Sequence, residues 1–182
     1  MMSSSLRIAL IAIAVVLSGT AVAKTRKPKP EEPTATAAQP VSLGEFKDWQ
    51  AFQNGTGKSK SCFAITSPKE RRPRLERDPA TLFITRRPGE GVRDELSMIT
   101  GFPMKDGGEA TLTVGRTDFD LYTKGSNAWI KNAAQGTAVI SAMRKSRTLV
   151  FEGDSKRGRT TTDRYSLAGM PQALEAITKG CP

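Results

Sequence analysis

The chain has 182 residues, a formal net charge of +10, two cysteines and no histidine. Without histidine there is no imidazole base, no Ser-His-Asp or Cys-His arrangement and no histidine metal site. The cationic surplus directs attention to anionic partners: phospholipid headgroups, acidic polysaccharide, nucleic acid or acidic protein.

Residues 1–23 read as a secretory signal peptide. Arg7 gives the positive start, residues 8–17 are an apolar run, and Ala21-Val22-Ala23 is a small-x-small cleavage site. The run is shorter than the ~20 apolar residues a membrane-spanning helix needs, so no transmembrane segment is expected in the mature chain. A single arginine in place of a twin-Arg pair points to Sec-type export, and no cysteine stands at the cleavage site to take a lipid anchor. The expected location is periplasmic or secreted, with cleavage after Ala23. Residues 24–40, KTRKPKPEEPTATAAQP, hold four prolines and no apolar side chain larger than alanine. Such a segment buries too little surface to offset its ordering entropy, and it reads as a disordered basic tether.

Residues 41–182 read as one domain of short strands. Residues 45–52 carry Phe46, Trp49 and Phe52. Asn54-Gly55 then signals a hairpin into residues 61–66, which contain Cys62, Phe63 and Ile65. Leu82, Phe83 and Ile84 form a buried-looking run, and Leu96, Met98 and Phe102 alternate with small residues. After the turn at Asp106-Gly107-Gly108, Leu112 and Val114, then Phe119 and Leu121, continue the two-residue period. Residues 132–143 predict a short helix with Asn132 as a possible N-cap. Residues 148–152 and 160–165 predict a last strand pair around a turn at 153–158. Met170, Ala173, Leu174 and Ile177 recur at helical spacing, with Pro171 in the first turn and Gly180 at the end. Many short strands at this spacing suggest a sandwich or a barrel.

Cys62 and Cys181 are most simply one disulfide in an exported protein, two free thiols being the alternative. Asp118 and Asp120 fall on one strand face, but a cation site needs more oxygen ligands than this pair supplies. Gly55-Thr56-Gly57-Lys58-Ser59 resembles the end of a phosphate-binding loop. The first glycine of that pattern is replaced by Phe52, so a hairpin turn is the expected reading. Lys69, Arg71, Arg72, Arg74 and Arg77 are interleaved with Glu70, Glu76 and Asp78, whose pairing would absorb much of their charge. Arg144, Lys145 and Arg147, with Lys156, Arg157 and Arg159, flank the last strand pair against only Glu152 and Asp154. These six are the candidate anionic-partner patch, although the strand reading places the two triplets at opposite ends. The aromatics read as core, leaving nothing beyond charge for specific nucleic-acid binding.

The stretches Ala142-Met143-Arg144, Arg157-Gly158, Asp163-Arg164-Tyr165-Ser166-Leu167-Ala168-Gly169, Ala173-Leu174 and Cys181-Pro182 resemble the invasion-associated locus B family of exported bacterial proteins. Phe46-x-x-Trp49 followed by Cys62 is similar to that family's opening. The resemblance implies an immunoglobulin-like β-sandwich with helical additions and an association with host-cell entry in some members. Relatives often carry a further cysteine after the opening tryptophan. Gln50-Ala51-Phe52-Gln53 stands there instead, which excludes a second disulfide. The expectation is thus a mainly β, immunoglobulin-like β-sandwich with a C-terminal amphipathic helix and one further short helix. Its expected role is non-enzymatic, without cofactor or metal, binding an anionic envelope component or another protein. The alternative is a periplasmic enzyme acting on an envelope substrate through lysine or carboxylates.

Overall fold

The structure is a computed structural model that describes residues 39–74 and 77–182. The signal peptide and nearly all of the expected tether lie outside the described residues. The described chain is mainly β. The strands are β1 (Val41–Phe46), β2 (Trp49–Asn54), β3 (Ser61–Thr66), β4 (Glu70–Arg72), β5 (Thr81–Arg87), β6 (Val92–Ile99), β7 (Glu109–Val114), β8 (Thr117–Lys124), β9 (Asn127–Ile130), β10 (Thr148–Asp154) and β11 (Thr160–Ser166). Two helices join them, α1 (Gly136–Arg144) and α2 (Met170–Gly180). All strands pair antiparallel in one sheet of order β1-β2-β3-β5-β6-β9-β8-β7-β10-β11-β4.

The two-residue period sorts each strand into an inner and an outer face. Cys62, Ala64 and Thr66 of β3, Leu82 and Ile84 of β5, and Leu149 and Phe151 of β10 all face inward and are buried. Burying each leucine or isoleucine adds about 1.5–3 kcal/mol relative to leaving it in water. The inner faces of strands from both halves of the order join one core with α1 and α2. The two halves also meet directly: Trp49 Nε1 donates to the Ser166 carbonyl at 3.0 Å, and the Asp48 amide donates to the Ala168 carbonyl at 3.2 Å.

The C-terminal helix forms as its periodicity predicts. Met170, Ala173, Leu174 and Ile177 are buried, and α2 lies against β1, β2 and β3. It ends at the disulfide between Cys181 and Cys62, whose Cα atoms are 5.9 Å apart. A Cβ at Gly180 would sit 3.0 Å from Cys62 Sγ and from Leu43 Cδ1, so glycine is what lets the helix end come this close. The buried Arg86 adds a polar tie, donating to Thr178 Oγ1 on α2.

Three expectations need adjusting. Residues 45–52 are not one strand: a turn at Lys47 and Asp48 splits them, with Lys47 at φ 55°. The split is held from outside, because Thr66 Oγ1 donates to the Asp48 carbonyl at 2.7 Å. The helix expected over 132–143 starts only at Gly136. Asn132 caps a preceding short 3-10 turn instead, its Oδ1 accepting from the Ala134 amide at 3.0 Å. The aromatics are not all core. Phe52, Phe63 and Phe83 lie side by side across β2, β3 and β5, with neighbouring centroids 5.5 and 6.3 Å apart. Tyr122 and Trp129 stack at 5.1 Å. These five alternate with the buried residues of their strands and so occupy the outer face, partly exposed. Strand alternation outweighs hydrophobicity here, because the inner positions of these strands are taken by other residues, among them Trp49, Ala51, Ala64, Leu82, Ile84, Leu121 and Ala128.

No helix among the described residues is long and apolar enough to cross a membrane.

Candidate functional site

The site begins with a charged residue where the strand pattern demands an apolar one. In β11 the inward positions are Thr161, Asp163 and Tyr165, and Asp163 is wholly buried. A buried carboxylate persists only if it is paired. Its first partner comes from the short edge strand β4, where Arg71 stands opposite Asp163. Arg71 Nε lies 3.2 Å from both carboxylate oxygens, Nη1 donates to the Asp78 carbonyl at 2.9 Å, and Nη2 to the Thr100 carbonyl at 2.6 Å. Arg71 therefore also straps two loops to the sheet.

The second partner is Arg77. Its side chain is 6 % exposed, with Nη2 3.4 Å from Asp163 Oδ1 and 3.2 Å from the Pro73 carbonyl. Its guanidinium lies over the Phe102 ring, 5.3 Å from the centroid. Nε and Nη1 are buried and have no acceptor among the described residues. Burial pushes the Arg77 pKa below its ordinary value; Asp163 opposes that shift and Arg71 reinforces it. One carboxylate facing two guanidiniums leaves the cluster with a surplus positive charge. Tyr165 lies beside it with its hydroxyl buried and without a partner among the described residues, and burial first, then Asp163, raises its pKa well above the usual phenol range.

Backbone packing sets Phe102 in place. The segment from Thr100 to Lys105 is tied to the β8–β9 turn by Thr100 N to Ser126 O at 2.9 Å and Met104 N to Gly125 O at 2.8 Å. It is tied to the β10–β11 turn by Lys156 N to Pro103 O at 2.9 Å. Gly101, at φ 72°, lets the loop at Asp78 and Pro79 approach, since a Cβ there would run into the Asp78 carbonyl. Gly158, at φ 73°, closes the β10–β11 turn, with its amide donating to the Ser155 carbonyl at 2.8 Å.

Together these elements enclose a pocket of about 470 Å³. Phe102 and Pro103 form its apolar wall, Arg77 is its buried charge, and Ser155 and Thr161 add hydroxyls. Lys156, Arg157 and Arg159, all exposed, complete its lining. Among the described residues no acidic side chain lines it. The arrangement suits an anion with an apolar neighbour.

The structure divides the six patch residues between the two ends of β10. Lys156, Arg157 and Arg159 stand at the pocket. Arg144, Lys145 and Arg147 stand at the other end, where α1 stops and β10 starts, and all three are exposed. Six residue steps of β-strand separate Thr148 from Asp154, roughly 20 Å. That exceeds the screening length of about 8 Å at physiological salt, so the triplets act separately.

Of the earlier basic loop, Arg71 and Arg77 pair with Asp163, far along the chain, and Lys69 pairs with Asp48. Pairing does absorb charge there, though partly with distant acids. Asp118 and Asp120 are exposed on β8, opposite Thr113 and Thr111, and among the described residues no group of acidic or cysteine side chains could hold a metal ion. The Gly55–Ser59 stretch is a hairpin loop with a single 3-10 turn at Gly57–Ser59. Phe102 carries no site signal in the sequence, and Arg77 stands there only as one of a loop cluster whose charge internal pairing would absorb. Asp163, at an inward strand position, was the available signal that an arginine must come to meet it.

No protein-family model, curated protein or solved structure matches the chain.

Proposed function

We propose that this chain is an exported, non-enzymatic binding protein that holds an anionic component of the cell envelope at its β10–β11 turn. The observation that carries this reading is the cationic rim of Lys156, Arg157 and Arg159 around a pocket that is also lined by the buried Arg77, which shares its one carboxylate, Asp163, with Arg71. Export is supported by the signal-like first 23 residues and by the single disulfide, which suits an oxidising compartment. The immunoglobulin-like sandwich and membership of the invasion-associated locus B family rest on the sequence resemblance, with which a mainly β fold closed by a C-terminal helix is compatible. Host interaction stands on the same resemblance.

The test is co-sedimentation with vesicles containing anionic phospholipid, at low and high salt. Wild type should bind at low salt and detach as salt rises, because rim charges are screened. Arg157→Glu with Arg159→Glu should weaken binding several-fold while leaving the melting temperature unchanged, since turn side chains are solvated. Equal binding by both proteins, or binding indifferent to salt, would remove the turn from the interaction.

A further inference from the structure

We infer that the pocket takes the head of an alkyl or acyl phosphate, with Arg77 as the residue that grips the phosphate. This rests on the anion-binding reading above and narrows it from a charged surface to a ligand class.

The first ground is the unsatisfied guanidinium. A buried N–H without an acceptor carries its full desolvation cost, and native structures leave few of them. Among the described residues Arg77 has two, at Nε and Nη1, beside a pocket in which no described side chain offers a carboxylate. An oxyanion entering the pocket lies beside this guanidinium and balances the charge left on Arg77 once Arg71 and Asp163 are paired. The second ground is the charge count. Arg77, Lys156, Arg157 and Arg159 surround one cavity, a setting that suits the dianion of a phosphate monoester better than a single carboxylate. The third ground is the wall. Phe102 and Pro103 are carbon surfaces that hydrate poorly, and a bare inorganic anion would leave them without a partner. A hydrocarbon chain attached to the phosphate covers them. The cavity, about 470 Å³, is within the range that encloses small-molecule ligands.

Arg77 can be changed without orphaning a charge. Its removal leaves Arg71 and Asp163 as a one-to-one pair whose hydrogen bonds do not involve Arg77. Arg77→Gln should therefore stay folded, as a thermal melt would verify.

The experiment is calorimetric titration of the exported protein with inorganic phosphate and with ethyl, hexyl and decyl phosphate, all below micelle-forming concentrations, and with decanol. Wild type should bind decyl phosphate at least tenfold more tightly than inorganic phosphate, with affinity rising along the series, and should take decanol poorly. Arg77→Gln should lose about tenfold or more for decyl phosphate, the scale of one charged hydrogen bond. Phe102→Ala should flatten the chain-length dependence while sparing inorganic phosphate. Should Arg77→Gln unfold, the wild-type series and Phe102→Ala still decide the matter. Competition by decyl phosphate against phosphatidic acid vesicles separates a free amphiphile from a bilayer headgroup. Displacement from the vesicles indicates that a lipid headgroup enters the pocket; decyl phosphate binding without vesicle binding indicates a free ligand. An affinity flat across the series, or equal binding by wild type and Arg77→Gln, overturns the inference. If the turn reversals still abolish vesicle binding in that case, the broader anion-binding proposal survives without the pocket.

Discussion

Each end of β10 carries one triplet of exposed cations, and the two triplets differ in what surrounds them. At the far end, Arg144 occupies the last turn of α1 and Lys145 its C-cap. A helix C-terminus carries about half a negative charge, so cations there are stabilised by the backbone they stand on. At the pocket end, Lys156, Arg157 and Arg159 project from a strand turn that offers no such dipole, and the same pocket is lined by a further, buried arginine with two donors unpaired among the described residues. Charge density alone makes the two triplets look equivalent. What separates them is whether the surrounding structure already accounts for the charge, and that depends on groups distant in sequence.

The largest expected effect concerns neither end. Reducing the Cys62–Cys181 disulfide opens a loop of 119 residues. On the chain-entropy model that costs about 4–5 kcal/mol. A denaturant melt with and without reductant should show it as a clear drop in midpoint. Because the disulfide ties α2 to β3, remote from the β10–β11 turn, reduced protein that remains folded should keep its anion affinity. Loss of affinity ahead of unfolding would couple the staple to the pocket and blur the contrast between the ends.

Asp163→Asn strikes the pocket end directly. It leaves the partly buried Arg71 and the buried Arg77 beside each other with no counter-charge among the described residues, a situation that costs up to about 3–5 kcal/mol. Chemical denaturation should register that loss. A loss under ~1 kcal/mol would mean that water reaches the cluster, and the surplus charge assigned to the pocket would be correspondingly diluted. Equivalent neutralisation at the far end, Lys145→Gln, has no buried carboxylate or guanidinium to unbalance.

Tyr165 sharpens the same contrast through pH. Its folded pKa is raised above that of the unfolded chain, so the native state keeps a proton that the unfolded state loses once pH passes about 10. Its contribution is fully present below that pH and is lost as pH rises, by about 1.4 kcal/mol per unit until the folded group itself ionises. Tyr165→Phe should remove this alkaline sensitivity. At neutral pH it should be nearly neutral in stability, because the hydroxyl has no partner to lose among the described residues. Identical alkaline melts for the two proteins would show that the hydroxyl is solvated.

Much of this fold was legible in short-range pattern. The alternations around Leu112, Leu121 and Phe151 appear as β7, β8 and β10, and the spacing of Met170, Ala173, Leu174 and Ile177 as α2. Three residues of β4 and four of β9 are too few for a period to show, and both strands are made by their partners. The half of the site on the turn was equally visible, because Lys156, Arg157 and Arg159 lie together in the chain. Arg77 and Phe102 were not, since what qualifies them is a contact made through Asp163, Gly101 and the strap at Pro103. The outward aromatics escaped for a related reason: their face is set by register, which strand composition does not encode.

The smallest expected effect closes the comparison. Arg144→Glu places a like charge against the α1 C-terminal dipole, which at a solvated helix end costs only about 0.3–1 kcal/mol. It should lower the melting temperature slightly, more at low salt than at high. It should leave vesicle binding and decyl phosphate affinity at wild-type values, since the pocket lies more than two screening lengths away. The paired measurement is the melt and the co-sedimentation of Arg144→Glu beside those of Arg157→Glu with Arg159→Glu. The first variant should move stability and not binding, the second binding and not stability. If Arg144→Glu weakens anion binding as much as the turn reversals do, the cations act as one diffuse field, and the pocket adds nothing to what net charge alone provides.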